Sequence, residues 1–160
     1  MTGQTPSTDA TPEIPAALTA APGYQVRRLY QAYLALWARE VDPVLTGPQF
    51  AVLQAVEGNP GRDQRSMAAA VSLDTSTMAD VARRLENRGL LARHTAAADG
   101  RRKLLHLTDA GRAALREANQ RARTLDKLLL ESFGADGGES LVSTLQALAD
   151  RWEALTEGAE

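Results

Sequence analysis

Residues 63–108 constrain the fold most, because they predict two helices, joined by a tight turn, that lead directly into a β-hairpin. The first helix, "DQRSMAAAV", has Asp63 as its cap, and its inward residues are Met67, Ala70 and Val71. The second, "DTSTMADVARRLENRGL", has Asp74 as N-cap and ends at Gly89, which suits the left-handed position just past a helix. Its apolar residues fall on one inward face: Met78, Val81, Ala82 and Leu85.

The hairpin follows as two short apolar runs, "GLLARHTAAA" and "KLLHLT", around Asp99-Gly100, a pair that is typical of tight turns. Three cations stand at its tip: Arg101, Arg102 and Lys103. A short helix, a turn, a longer helix and a hairpin in this order predict a winged helix-turn-helix. In that arrangement the second helix enters the major groove of DNA.

Further helices are predicted on both sides of this segment. Apolar residues recur at three- and four-residue spacing from Tyr24 to Val41, and Thr46 caps the next helix, "TGPQFAVLQAVEG". A helix begins after Thr108, and another follows the glycine-rich break "GADGG". The last helix has an apolar stripe suited to packing against another helix: Leu141, Leu145, Leu148, Trp152 and Leu155.

These patterns predict a mainly α (α+β) fold. Residues 1–22, rich in Thr, Ala and Pro, are expected to be a disordered tail. Residues 46–107 form the winged helix-turn-helix lobe, while 23–45 and 108–157 form an added helical dimerisation region from both chain ends. The two C-terminal helices are too short and too few for a core of their own. They need the first helix or a second copy of the chain to complete it, and we expect both.

Charge is distributed unevenly along the sequence. Residues 62–103 have a net charge of +4, whereas 1–61 have −2 and 104–160 have −4. A local basic face is the electrostatic footprint of a phosphate-binding surface, although a solvated surface with a chance excess of arginine gives the same count.

The second helix of the lobe presents polar residues suited to DNA. Its small hydroxyls can approach base edges and phosphates, and its arginines can contact phosphates or guanine. Asp80 can accept from a cytosine amine or orient the arginine at i+3 or i+4. The predicted DNA-binding residues here are Thr75, Ser76, Thr77, Asp80, Arg83 and Arg84.

The wing contributes the remaining predicted DNA contacts, Arg101, Arg102 and Lys103, because a hairpin beside the recognition helix lies near the flanking minor groove. Asp99 is expected to pair with Arg101 and stiffen the loop, which leaves Arg102 to project. The sequence alone does not separate the two arginines.

Other classes of function find little support. The chain has no cysteine, so disulfides and thiolate metal sites are excluded. His94 and His106 are the only histidines, and we expect no metal site, no cofactor and no catalytic residue. No apolar run reaches the length of a membrane span and no signal peptide is present, so a cytoplasmic protein is expected. A winged-helix module that binds another protein remains the alternative to DNA binding, and a small helical enzyme is a third hypothesis.

Four short motifs in the right order resemble the MarR family (multiple-antibiotic-resistance regulators). They are Arg84-Leu85-Glu86, Arg88-Gly89-Leu90, Asp99-Gly100-Arg101, and Leu107-Thr108 with Gly111. The segment "LTGPQFAVLQAV" is similar to the family's second helix, and the resemblance covers about residues 24–155.

The resemblance implies a homodimer whose two lobes bind a pseudo-palindrome in double-stranded DNA, with half-sites about 34–36 Å apart. It also implies a repressor released by a small molecule. The absence of cysteine departs from the peroxide-sensing branch of the family and favours ligand sensing.

The first long helix suggests the class of effector. "RRLYQAYLALW" resembles the branch of the family that responds to aromatic acids, and arginine with aromatic walls suits an aromatic carboxylate. Aromatic residues are equally expected at a dimer interface, and the arginines can simply pair with acids. The predicted ligand-binding residues are Arg27, Arg28, Tyr24, Tyr30, Tyr33 and Trp37.

Overall fold

In the computed structural model of the chain, residues 13–96 and 99–157 are described, of which 96, 99–101, 135 and 157 are described by backbone alone. The chain has two compact units, Met1–Ala35 and Leu36–Glu160.

Helix α1 (Ala16–Thr19) and the start of helix α2 (Pro22–Glu40) lie within the segment predicted to be a disordered tail. The expectation therefore differs from the structure over residues 16–22, while residues 1–12 lie outside the described part. The reason is local, because Ala16, Ala17 and Leu18 are strong helix formers. Pro15 precedes them with a φ of −58°, as proline at a helix start requires.

Three helices form the first part of the lobe: α3 (Gly47–Gly58), α4 (Gln64–Ala70) and α5 (Thr75–Asn87). Thr46 and Gln49 form a reciprocal capping box at the start of α3. The turn between α4 and α5 passes through Ser72 in the left-handed region, with φ of 52°. The central core residues are fully buried: Val52, Leu53, Met78, Leu85, Leu91, Leu105 and Leu115.

The inward face of α5 is as predicted, but that of α4 is not. Met67 and Ala68 are buried, whereas Ala70 is exposed and Val71 is half-buried. Alanine at three consecutive positions gives α4 no contrast between an apolar and a polar face, so the pattern did not fix which alanine turns inward.

Strands β1 (Leu91–Ala96) and β2 (Asp99–Leu107) pair antiparallel, from Leu91 opposite Leu107 to Ala96 opposite Asp99. Asp99-Gly100 therefore lies at the start of β2 and not in the turn, which corrects the prediction. The register shifts between Thr95 and Ala96. Residues 97–98 lie outside the described part.

The C-terminal part consists of helix α6 (Asp109–Leu130), a 3₁₀ turn (Glu131–Phe133) and helix α7 (Gly134–Glu157). The glycine-rich segment predicted to break the two helices forms the first turns of α7 instead. The break lies at the first residue of this segment, Gly134, which adopts a φ of 68°. No helix among the described residues is long and apolar enough to cross a lipid bilayer.

Candidate nucleic-acid interface

The N-terminus of α5 is organised by Asp74. One carboxylate oxygen accepts from the backbone N–H groups of Ser76 and Thr77, both at 2.9 Å. The hydroxyls of the same two residues also donate to this carboxylate. These hydrogen bonds, the Ser76 hydroxyl first, hold the pKa of Asp74 well below its usual range. Ser76 and Thr77 therefore present hydroxyl oxygens that remain available as acceptors, while the hydroxyl of exposed Thr75 has no hydrogen-bond partner among the described residues.

Farther along α5 the two predicted arginines differ. Arg83 donates to Asp80 at 2.7 Å, and this hydrogen bond lowers the pKa of Asp80. Of the two roles that the sequence left open for Asp80, the contact with Arg83 at i+3 is present in the structure, and the contact with a cytosine amine stays a prediction. The side chain of Arg84 is exposed and has no hydrogen-bond partner in the described part of the chain. Arg84 is thus the cation of α5 that is most free to reach a ligand.

Two long-range contacts fix the C-terminal half of α5, and sequence analysis missed both. Arg93 of β1 donates to Glu86 through both Nε and a terminal nitrogen, and this contact lowers the pKa of Glu86. Arg88 donates to the buried side chain of Gln49 at 2.9 Å and to the Val44 carbonyl at 2.8 Å. The C-terminal end of the recognition helix is therefore held by the wing through Arg93, and through Arg88 by the first turn of α3 and by Val44 just before it.

Of the residues predicted to contact DNA from the wing, the structure describes the side chains of Arg102 and Lys103, and each has a different partner. The side chains of Asp99 and Arg101 lie outside the described part, so their pairing stays a prediction. Arg102 was expected to project, but its guanidinium donates to Asp63 at 2.9 Å. Lys103 donates to Thr95 across the hairpin, also at 2.9 Å.

The contact between the wing and α4 extends to the backbone. Asp63 and Leu104 form an isolated antiparallel bridge, Gly61 donates to the Leu105 carbonyl at 2.9 Å, and Leu105 donates to the Arg62 carbonyl at 3.0 Å. Next to this seam is a cleft of about 450 Å³ lined by Asp63, Gln64, Arg65, Arg102 and Lys103. Arg65 is a cation that the sequence reasoning passed over, although its position two residues after the cap of α4 marks it as surface.

The predicted effector residues all lie on α2. Arg28 is placed over the ring of Tyr24, with its guanidinium carbon 5.8 Å from the ring centroid, and also donates to Gln25. Arg27 and Tyr30 are exposed, and Tyr33 is half-buried. Trp37 is buried: its indole N–H donates to the Leu45 carbonyl at 3.1 Å and its ring lies 5.1 Å from that of Phe50. The effector site stays a prediction, and in this chain Trp37 has a clear structural role.

His94 and His106 lie beside each other on the hairpin, with ring centroids 5.2 Å apart in an edge-to-face arrangement. Within the described residues, no three His, Cys, Asp or Glu side chains cluster closely enough to hold a metal ion. The two rings therefore form an aromatic contact on the wing.

Comparison with known proteins shows the family of this chain. The sequence pattern of the MarR family matches residues 45–102, which span the helix-turn-helix and most of the wing. The transcriptional regulator HosA of Escherichia coli O157:H7 is 34% identical to this chain over 125 residues, covering 78% of this chain and 92% of HosA.

Two regulators of known structure share the fold. The PcaV transcriptional regulator from Streptomyces coelicolor, in complex with its natural ligand, is 38% identical with a TM-score of 0.80, covering 86% of this chain and 98% of PcaV. The transcriptional repressor CouR, bound to a 23-mer DNA duplex, is 33% identical with a TM-score of 0.81, covering 86% of this chain and 99% of CouR. CouR is also known bound to p-coumaroyl-CoA. With its capped recognition helix, its wing and these relatives, the chain belongs to the MarR family and is a transcriptional regulator of that family.

Proposed function

We propose that this chain is a dimeric repressor that binds a pseudo-palindromic operator in double-stranded DNA and releases it when an aromatic carboxylate binds. The observation that supports DNA binding best is the exposed face of α5. Its N-terminus is fixed by Asp74, the guanidinium of Arg84 has no hydrogen-bond partner among the described residues, and the adjoining hairpin adds the exposed cation Lys103. CouR, with a TM-score of 0.81 to this chain, binds a DNA duplex.

Dimerisation is supported by the apolar side chains of α7. These side chains are large and about half exposed. Their spacing of three and four residues places them on one stripe of the helix: Val142, Leu145, Leu148, Trp152 and Leu155. Contiguous apolar surface of this kind in a protein is usually covered by another chain. We propose a second copy of this chain as the cover, since the two lobes of a dimer would then match the two halves of a palindrome.

The carboxylate effector is supported by Arg28 and Tyr24 on α2. A guanidinium already placed over an aromatic ring can bind a carboxylate through charge-assisted hydrogen bonds, and the exposed Tyr30 and Arg27 on the same helix add aromatic surface and charge. PcaV is known with its natural ligand and CouR with p-coumaroyl-CoA, so related regulators bind small molecules and one binds an aromatic acyl group.

The test of the effector is thermal unfolding of the purified protein with a panel of aromatic acids, their methyl esters and their coenzyme A thioesters. A ligand present at one hundred times its dissociation constant stabilises the native state by about 2.7 kcal/mol, which raises the unfolding midpoint clearly. We expect the acids to stabilise the wild type, the esters not to, and the Arg28→Gln variant to lose the response. Equal stabilisation by acids and esters would contradict recognition of a carboxylate, and a response to the thioesters alone would assign a larger ligand.

A further inference from the structure

The seam between α4 and the wing has a feature that the sequence pattern did not predict. Arg102 belongs to the wing, and a wing arginine is expected to point toward the minor groove. In this chain its guanidinium is paired with Asp63, whose side chain is mostly buried at 18% exposure. The same carboxylate caps α4 by accepting from the Ser66 N–H at 3.0 Å and from the Ser66 hydroxyl at 2.9 Å. Asp63 is thus fixed from one side by the helix and from the other by the wing.

The ion pair is held where the two backbones also meet. Residues 61–63 pair with Leu104 and Leu105 of β2 through the bridge and the two backbone hydrogen bonds described above. The hydrogen bonds from Ser66 and then from Arg102 keep the pKa of Asp63 well below its usual range, so the carboxylate stays charged near neutral pH. A carboxylate this close to Arg102 also opposes the approach of a DNA phosphate to that guanidinium.

The neighbouring cleft has two cations, Arg65 and Lys103, that are not paired with an acidic side chain in the described part of the chain. The side chain of Arg65 is exposed and makes no hydrogen bond or ion pair within the described part of the chain. The ammonium of Lys103 donates one hydrogen bond, to Thr95, and an ammonium has three donors, so two remain for a ligand. With the charge of Asp63 balanced by Arg102, Arg65 and Lys103 give the cleft a net positive charge.

We propose that Arg102 is a positioning residue, which holds the wing against α4 through Asp63, and that the cleft beside it binds one phosphodiester of the bound DNA through Arg65 and Lys103. This inference rests on the proposed DNA-binding function. It assigns phosphate contact to a residue outside the recognition helix and the wing, and it removes Arg102 from the residues that contact DNA. The backbone phosphate is the chemistry the cleft fits, because its lining residues are all charged or polar and its two cations without an acidic partner recognise charge and not a base edge.

The salt dependence of DNA affinity tests both halves of the proposal. Fluorescence anisotropy would follow the full chain binding to a labelled duplex of selected sequence over a range of salt concentrations. A plot of log affinity against log salt concentration has a negative slope, and each lost phosphate contact lowers the magnitude of this slope by about 0.9. We expect Arg65→Gln to lower the slope by this amount, whereas Arg102→Gln weakens binding with the slope unchanged. Arg116→Gln, the same change at an exposed arginine of α6, is the control and should alter neither quantity.

A double-mutant cycle separates positioning from contact. Asn keeps a capping oxygen on α4, so Asp63→Asn removes mainly the charge that faces Arg102. We expect Asp63→Asn to weaken DNA binding about twofold to fivefold, as the loss of one exposed ion pair allows. Arg102→Gln should have the same effect and the double variant should be no weaker than either single one. Removing a negative charge beside DNA would otherwise strengthen binding, so the sign of the Asp63→Asn effect is informative.

The outcomes that would overturn the proposal are distinct from failure of the proposed function. If Arg102→Gln lowers the slope by about one and Asp63→Asn strengthens binding, Arg102 contacts a phosphate and is not a positioning residue. If Arg65→Gln leaves the slope unchanged, the cleft binds no phosphate. If the wild type itself binds duplex DNA no more tightly at low salt than at high salt, the DNA-binding function fails and this inference fails with it. Thermal unfolding of each variant shows whether it has kept its fold.

Discussion

Replacing Gly111 with alanine tests how the winged lobe is attached to helix α6. A Cβ atom at this position would lie 1.9 Å from the carbonyl oxygen of Leu90, below the 3.0 Å that real contacts of this kind keep. The neighbour is backbone, so no side chain can rotate away, and α6 and the start of β1 have to separate by about 1 Å. The same junction includes the hydrogen bonds from Thr108 to the carbonyls of Leu90 and Gly89, at 3.2 and 2.7 Å.

The expected cost is a sum of three effects. Overpacking of a close contact costs about 1–3 kcal/mol, and a strained or lost hydrogen bond adds about 1 kcal/mol. Alanine is the better helix former and returns about 1 kcal/mol. We therefore expect Gly111→Ala to lower the free energy of unfolding by about 2 kcal/mol. For a chain of this size the unfolding midpoint then falls by about 4–8 °C.

Urea and thermal unfolding of the variant would measure this cost, with Gly58→Ala as the matched control. Gly58 also lies in a helix, but a Cβ there meets nothing within 4 Å, so the control should be neutral or slightly stabilised. Because Leu90 connects α5 to the hairpin, DNA affinity of Gly111→Ala should fall as well. If Gly111→Ala is as stable as the control, the close packing of α6 against Leu90 is not a constraint and the reasoning is wrong.

Three further changes have definite expected results. Glu86→Gln removes the partner of Arg93, whose contact lowers the pKa of Glu86 in the folded state. The contact therefore stabilises the folded state above the ordinary pKa of glutamate, about 4.3, and this stabilisation is lost as the pH falls through the lower pKa of the folded state. The difference in unfolding midpoint between wild type and variant should therefore shrink toward zero in acid, and a difference independent of pH would contradict it. Ser72→Gly removes a serine that adopts a left-handed conformation between α4 and α5. The free energy of unfolding measured by urea titration should therefore rise by up to about 1 kcal/mol, and a clear fall would show that the serine side chain stabilises the turn. Leu148→Glu, at a side chain 44% exposed on α7, should convert a dimer into a monomer by light scattering, while Gln146→Glu on the same helix should remain dimeric; a dimeric Leu148→Glu would place the interface elsewhere.

The helix starts could be predicted because they depend on local hydrogen bonds. Thr46, Asp63, Asp74 and Thr108 were each expected as caps, and each accepts a backbone N–H within the next three residues. Gly89 was likewise expected in the left-handed position after α5 and has a φ of 69°. These contacts involve residues that are near in sequence, so residue type and spacing are enough to find them.

Local signals failed where a larger context decided the outcome. Asp99-Gly100 favours a turn by itself, but the register of the two strands places it in β2. The glycines of "GADGG" disfavour a helix, and α7 nevertheless begins among them, at Gly134. In both cases the conformational preference of a few residues contributes less free energy than the strand pairing or the helix that includes them.

The long-range contacts of the candidate site were beyond sequence reasoning for a different reason. Arg102 and Asp63 are 39 residues apart, as are Arg88 and Gln49. Any of the nine basic residues in 62–103 can in principle pair with any nearby acid, and only the packing of α4, α5 and the wing selects the partners. The charge pattern therefore located the basic segment 62–103 but did not show which of its cations are already paired.

The most direct test of the account is selection of duplexes by the full chain from a random-sequence pool, followed by sequencing of the bound fraction. A dimer that places two copies of α5 in successive major grooves predicts an inverted repeat whose half-sites are about 10 base pairs apart, centre to centre. Enrichment of such a repeat by the wild type, and its loss in Arg84→Gln, is the result we expect. A pool that remains random, or an enriched single site without a dyad, would contradict a dimeric DNA-binding regulator.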